Sequence, residues 1–397
     1  MRIALVGTRG VPARYGGFET CVEEVGRRLA DAGHTVVVYC RRPEGETGPP
    51  LDEYLGMQLV TLPAARKRAL ETLTHTAASV AHLMRHPVDA VVLFNAANAP
   101  LLPAIRARRL PVATHVDGLE WKRAKWGPTG KRYYRAAEAL AVRWSDALIA
   151  DAVGIQEYYE EEFAAPTELI AYGAPLVEAD RPELLAAVEE ADLAPGGYHL
   201  VVARFEPENH VDVIVEGYVR SAAALPLVVV GSAPYADEYT AKVQALGDDR
   251  VKFLGGVWDQ DLLDQLYANS LTYQHGHSVG GTNPSLLRAI GAGAATDAFD
   301  VSFNREVLGA SGRFWSTPAD LAPLFESAEA DPDAATARGK LARERAAAYD
   351  WDAVAEAYGS LCERLAAREF PRRRPSGRRR ATGASTDSRA VTGGSRP

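Results

Sequence analysis

The sequence predicts an α/β protein of two Rossmann-like, doubly wound domains facing each other across a cleft. Three observations carry that expectation. The chain has 397 residues, and a single hydrophobic core stops growing at roughly 250–300 residues. Short apolar runs alternate with helical periodicity through most of its length, the pattern of βαβ units on a parallel sheet. The alternation also stops once and starts again, which divides it into two runs of similar size.

The first run places strands at Ile3–Gly7, Thr35–Cys40, Met57–Leu62, Ala90–Asn95, Val112–Val116, Ala147–Asp151 and Glu168–Tyr172, with helices such as Phe18–Ala32 and Arg132–Trp144 between them. These strands are apolar without alternation, as expected of strands buried on both faces. Residues 175–197 are acidic, rich in alanine and proline and free of a strand pattern, so they read as a hinge region. The second run resumes at His199–Arg204, Leu227–Gly231, Val251–Gly255 and Leu271–His275, and a last helix is expected at Asp350–Ala367. The expected boundaries are 1–175 for the first domain, 176–197 for the linker and 198–348 for the second domain. A helix over 349–370 is expected to pack back on the first domain, and a tail follows over 371–397. A closed barrel is the alternative, because periodicity cannot see closure.

Composition narrows the classes. Hydrophobic residues at 47% and charged residues at 24% are ordinary for a globular protein. A net charge of −8 argues against nucleic acid as a partner of the whole molecule. Cys21, Cys40 and Cys362 lie too far apart for a metal-ligand motif or a disulfide framework, which fits a reducing cytoplasm. The first apolar run is too short for a signal peptide, and no run approaches the roughly 20 apolar residues of a membrane span. Beyond Phe370, Arg372, Arg373, Arg374, Arg378, Arg379 and Arg380 sit among Pro, Ser, Gly and Thr, a composition expected to be disordered. Such a tail either solubilises the protein or makes peripheral contact with an anionic membrane, at roughly 1 kcal/mol per basic residue.

Four segments carry candidate chemistry. Gly7–Glu19, which includes Arg9, Arg14, Gly16 and Gly17, links the first strand to the first long helix. Glycines allow close backbone approach, and a helix N-terminus favours an anion such as phosphate. The spacing is neither a dinucleotide fingerprint nor a Walker loop. His115–Trp126 begins at the carboxyl end of a strand, where open α/β sheets bind ligands, and brings together His115, Asp117, Glu120, Trp121 and Lys122. Arg204 ends the first strand of the second run, with Asn209 five residues later; it is placed to neutralise a leaving diphosphate or to pair with Glu206 or Glu208. Last, His275, His277, Gly280, Gly281, Thr282, Asn283 and Arg288 surround a helix start, with Asn283 as N-cap and Pro284 at the first helical position. Two histidines at i, i+2 without a third ligand do not make a zinc site, and no metal or cofactor is expected.

At these four segments the sequence resembles the retaining GT-B glycosyltransferases of family 4, most closely the rhamnosyltransferase-like subgroup. The strings GTRGVPARYGGFET, HVDGLEWKRAKW, ARFEPEN and HGHSVGGTNPSLL carry the likeness, as do Phe303–Val307 and Tyr349–Trp351. The resemblance implies an acceptor-side first domain and a second domain that binds a nucleotide-diphosphate sugar. Gly16 and Gly17 would face the donor phosphates, His115 the anomeric carbon and Asp117 the sugars. Arg204 would hold the diphosphate, and the 275–288 segment the donor sugar and nucleoside. Arg14, Glu120, Trp121 and Lys122 would lie toward a glycan, lipid-linked or antibiotic-precursor acceptor. Two positions depart from the family pattern. Asn209 stands where a lysine is common, and Arg288 stands where a glutamate contacts the ribose; the latter points to a dTDP-sugar or to reduced activity. A sugar-nucleotide epimerase and a nucleotide-sugar-binding protein without turnover are the alternatives.

Overall fold

The computed structural model describes residues 1–13, 16–42, 48–65, 68–116, 118–188, 193–231 and 237–370. Arg14, Asp117 and the arginine-rich segment 371–397 lie outside the described residues.

Two open sheets form, and no barrel closes among the described residues. The first takes β1 (Arg2–Val6), β2 (Thr35–Arg41), β3 (Glu53–Tyr54), β4 (Met57–Leu62), β5 (Ala90–Phe94), β6 (Val112–Val116), β7 (Ala147–Ala150) and β8 (Glu168–Leu169), in the order β3-β4-β2-β1-β5-β6-β7-β8. All neighbours are parallel except the short β3–β4 pair. The second takes β9 (His199–Val202), β10 (Leu227–Val230), β11 (Val251–Gly255), β12 (Thr272–His275), β13 (Thr296–Phe299) and β14 (Arg313–Trp315), ordered β11-β10-β9-β12-β13-β14 and parallel throughout. Strands β1, β5, β6 and β10 are almost wholly buried, which is why their sequences are continuous apolar runs.

Strand order reverses between β1 and β5 in one sheet and between β9 and β12 in the other. At such switch points the connections leave toward opposite faces and open a crevice at the carboxyl ends of the strands. Several strands end earlier than expected because the chain turns sharply there. Gly7 follows β1 at φ 105° and Asn95 follows β5 at φ 71°, both outside the extended region. Strand β8 spans two residues where five were expected, and β3, β13 and β14 were not expected. The 175–197 segment has no strand among its described residues, but Val177 and Leu185 are buried in the second-domain core.

The Trp351–Ala366 helix packs against the Gly17–Asp31 helix of the first domain. Trp351 lies so close over Gly173 that a methyl there would meet its ring at 2.3 Å. Arg28–Asp352 and Arg364–Glu168 pairs at 2.5 and 3.0 Å flank the contact. No helix among the described residues is long and apolar enough to cross a membrane.

Candidate functional site

The Gly17–Asp31 helix starts at the mouth of the β1–β5 crevice. Gly16 precedes it at φ 110°, a conformation that disfavours a side chain, and no side chain caps the first turn. Its first amides therefore lack intrahelical partners, and the helix dipole adds partial positive charge. The amides of Arg9 and Ala13 donate to Glu19 and Glu23 at 2.9 and 2.6 Å, which pins the preceding loop to the helix.

The Pro284–Gly291 helix starts at the corresponding crevice of the second sheet. The Asn283 side chain accepts from the Ser285 amide at 3.0 Å and Pro284 takes the first helical position, as the sequence predicts. The two helix starts meet: a methyl on Gly17 would lie 3.1 Å from Pro284 and 3.4 Å from Tyr172. Glycines make the other close approaches between the lobes. A methyl on Gly118 would lie 2.2 Å from the Gly280 backbone, and one on Gly281 would lie 2.0 Å from the Asp151 carboxyl. The Thr282 hydroxyl donates to the Asp151 carbonyl, and the Val153 amide donates to Glu306 at 3.0 Å.

His115 is the penultimate residue of β6 and is fully buried among Phe18, Phe94, Tyr172 and Tyr358. Burial lowers its pKa to about 3, so the imidazole is neutral. Its Nδ1 lies 3.1 Å from the Tyr358 hydroxyl; its Nε2 has no hydrogen-bond partner among the described residues. His275 is equally buried, with Nδ1 3.1 Å from the Tyr273 hydroxyl and a pKa lowered to about 3 by burial. His277 stacks on it at 4.5 Å, and burial, then His275, holds it well below its ordinary value. Neither histidine belongs to a group of three or more potential metal ligands among the described residues.

Arg204 is half-exposed and 3.5 Å from Glu206. From the opposite lobe Arg123 reaches Glu206 at 3.4 Å and Glu208 at 3.3 Å, while its Nε lies 2.5 Å from Glu120. Burial opposes the Glu206 charge, but Arg204, Lys125 and Arg123 outweigh it and hold the carboxyl below its ordinary value. Asn209 is buried and donates to the Arg204 carbonyl at 2.8 Å, so its side chain shapes the loop. Arg288 pairs with Asp264 on the neighbouring Gln260–Ala268 helix. Glu120 accepts from the Trp126 indole at 3.2 Å, and Lys122 and Arg135 lie 5.7 and 5.1 Å from the Trp121 ring.

Among the predicted site residues, Lys122 and Gly280 line one crevice between the lobes, Gly17 packs close to Pro284, and Gly281 and Thr282 lie against Asp151. Sequence reasoning passed over Asp151 and Tyr358. Asp151 had a signal, a carboxylate ending a strand. Tyr358 had none, because it lies 243 residues from its partner His115.

Residues 16–173 match the family model described as a glycosyl transferase 4-like domain. No curated protein matches the chain. Among solved structures, sucrose-phosphate synthase from Thermosynechococcus elongatus gives a TM-score of 0.78 at 20% identity, covering 92% of this chain and 99% of that one. HepE from Anabaena, solved in complex with UDP-glucose, gives 0.72 at 16% identity over 91% of this chain and 100% of that one. A glycosyltransferase from Rickettsia africae gives 0.66 at 15% identity over 92% and 98%. The family match covers residues 16–173, and the chain as a whole takes the GT-B fold.

Proposed function

We propose that the chain transfers a sugar from a nucleoside-diphosphate donor in this crevice to a hydroxyl acceptor. The observation that carries the reading is the meeting of two helix N-termini, with Pro284 3.1 Å from where a Gly17 methyl would be. The uncapped amides of the Gly17–Asp31 helix and two helix dipoles at one point suit a diphosphate. Arg204, half-exposed and 3.5 Å from Glu206, is the guanidinium proposed to stabilise charge on the departing diphosphate.

The donor proposed is a rhamnose-like deoxyhexose on dTDP or another nucleotide. The rhamnosyltransferase-like strings support the sugar. Arg288 supports a deoxyribose, since a guanidinium paired with Asp264 cannot accept a hydrogen bond from a ribose hydroxyl. HepE, solved with UDP-glucose, supports a nucleotide sugar as the general donor class. The acceptor is a hydroxyl of a glycan, a lipid-linked sugar or an antibiotic precursor such as an aminocyclitol, approached past Glu120, Trp121 and Lys122. Transfer proceeds with retention and without a metal: the acceptor attacks on the face the leaving group departs from, and the departing phosphate takes its proton. His115, neutral across the physiological range, contributes a hydrogen bond and no charge.

Purified protein incubated with labelled nucleotide sugars, with and without acceptors, tests the proposal. Acceptor-dependent release of nucleoside diphosphate is expected, and Arg204→Ala should lower turnover about a hundredfold. Equal turnover in that variant removes Arg204 from the mechanism, and UDP binding far more tightly than dTDP removes the thymidine preference. The second reading, binding without turnover, is favoured by Asn209, which is buried where the family supplies a second cation. Donor binding without product in the same assay would select it.

A further inference from the structure

The Trp351–Ala366 helix brings Tyr358 to His115. Tyr358 is fully buried on the Trp351–Ala366 helix, and its hydroxyl stands between two first-domain groups. On one side lies His115 Nδ1 at 3.1 Å, and on the other the Cys21 thiol at 3.7 Å. Cys21 belongs to the Gly17–Asp31 helix, one turn beyond the uncapped amides.

The chemistry of the three groups fixes the direction of the chain. A phenol hydroxyl has one proton, an imidazole nitrogen is a good acceptor and a thiol sulfur a poor one. The favourable arrangement has Cys21 S–H donating to the Tyr358 oxygen and Tyr358 O–H donating to His115 Nδ1. Each group keeps the proton it needs. Burial raises the Cys21 thiol to about 12 and the Tyr358 phenol well above its ordinary value, and it keeps His115 neutral. With Nδ1 occupied as an acceptor, the single imidazole proton sits on Nε2, the atom left without a partner among the described residues.

We infer that Tyr358, backed by Cys21, is a positioning residue that holds His115 as the Nε2–H tautomer, so that it presents a neutral N–H donor to an oxygen of the bound substrate. The inference rests on the proposed sugar transfer for the identity of that oxygen. The tautomer itself is independent of any activity. The arrangement makes the half-site of the first domain depend on a helix from the far end of the chain.

The test is long-range proton–nitrogen correlation spectroscopy of histidine-labelled full-length protein near neutral pH, with the His115 signals assigned by their loss in His115→Gln. The expected wild-type pattern is a protonated Nε2 and an unprotonated Nδ1. Tyr358→Phe should shift His115 toward the other tautomer and lower kcat about tenfold, with a smaller change in donor KM. Cys21→Ser, which keeps a donor behind Tyr358, should retain the wild-type spectrum. A wild-type spectrum with the proton on Nδ1 overturns the inference, even if Tyr358→Phe does not fold. So does a folded Tyr358→Phe whose spectrum and kcat match wild type. A protein that shows the Nε2–H pattern but transfers no sugar keeps the positioning role and sinks only the proposed function.

Discussion

Asp151 shows how much a single side chain can do at the seam between the lobes. It directly follows β7, is buried, and lies against Gly281 from the opposite lobe. Burial raises its carboxyl from 3.8 to about 7, and Glu306 pushes in the same direction, while hydrogen bonding at its own backbone and from Thr282 pulls against them. Because the folded value lies above the unfolded one, the folded state holds the proton more tightly. The resulting stability is complete below pH 3.8 and is lost as pH rises to about 7. The whole effect is on the order of 4 kcal/mol. Asp151→Asn should lose less stability than wild type between about pH 5 and about pH 8 in thermal melts. A gap between the two proteins that does not change with pH would show that Asp151 is already ionised. At this scale the sequence was partly legible. His115 and Arg204 announce themselves by standing at or just beyond the carboxyl ends of apolar strands, and Asn283 by its place before Pro284. The partners of those residues are not announced, because Tyr358 approaches from the far end of the chain and reads as an ordinary core aromatic. Asn209 stands where the resembled family commonly has a lysine, and its side-chain amide donates to the Arg204 carbonyl.

Among the elements, the strands missed from sequence have physical reasons for being missed. Strand β13 carries Asp297, a charge in what should be an apolar run, and β14 spans only three residues. Asp297 is fully buried and tolerated because Arg313 holds it through contacts at 2.7 and 2.8 Å, Arg338 at 3.1 Å and Gln274 at 2.9 Å. The arginines lie 16 and 41 residues along the chain, so no local window exposes the pairing. Asp297→Ala leaves two guanidinium groups without their carboxylate and should cost about 3–5 kcal/mol in chemical denaturation. A loss below about 1 kcal/mol would place the cluster in solvent-like surroundings. The long helices were easier to read. The Gly17–Asp31 and Trp351–Ala366 helices have strong amphipathic patterns, and their buried residues share one packed face. Strand ends were less legible, because the turns at Gly7 and Asn95 depend on backbone angles that apolar pattern does not report.

For the molecule as a whole, the two mainly parallel sheets were legible from the interrupted alternation, while their strand order was not. Their approach was not, because it depends on small residues from distant loops. Gly118 and Gly280 meet so closely that a methyl on the first would lie 2.2 Å from the backbone of the second. No side chain can swing away to relieve that contact. Gly118→Ala should hold the lobes apart, increase the radius of gyration in small-angle scattering and lower turnover at least about tenfold. An unchanged radius with unchanged turnover would mean that the lobes work without this contact. The most direct test of the account is a structure of the protein with a nucleotide sugar bound. The diphosphate should lie between the start of the Gly17–Asp31 helix and the start of the Pro284–Gly291 helix, with the Arg204 guanidinium on its oxygens and the sugar near His115. A nucleotide bound elsewhere, with the two helix starts still packed against each other and Arg204 turned away, would contradict it.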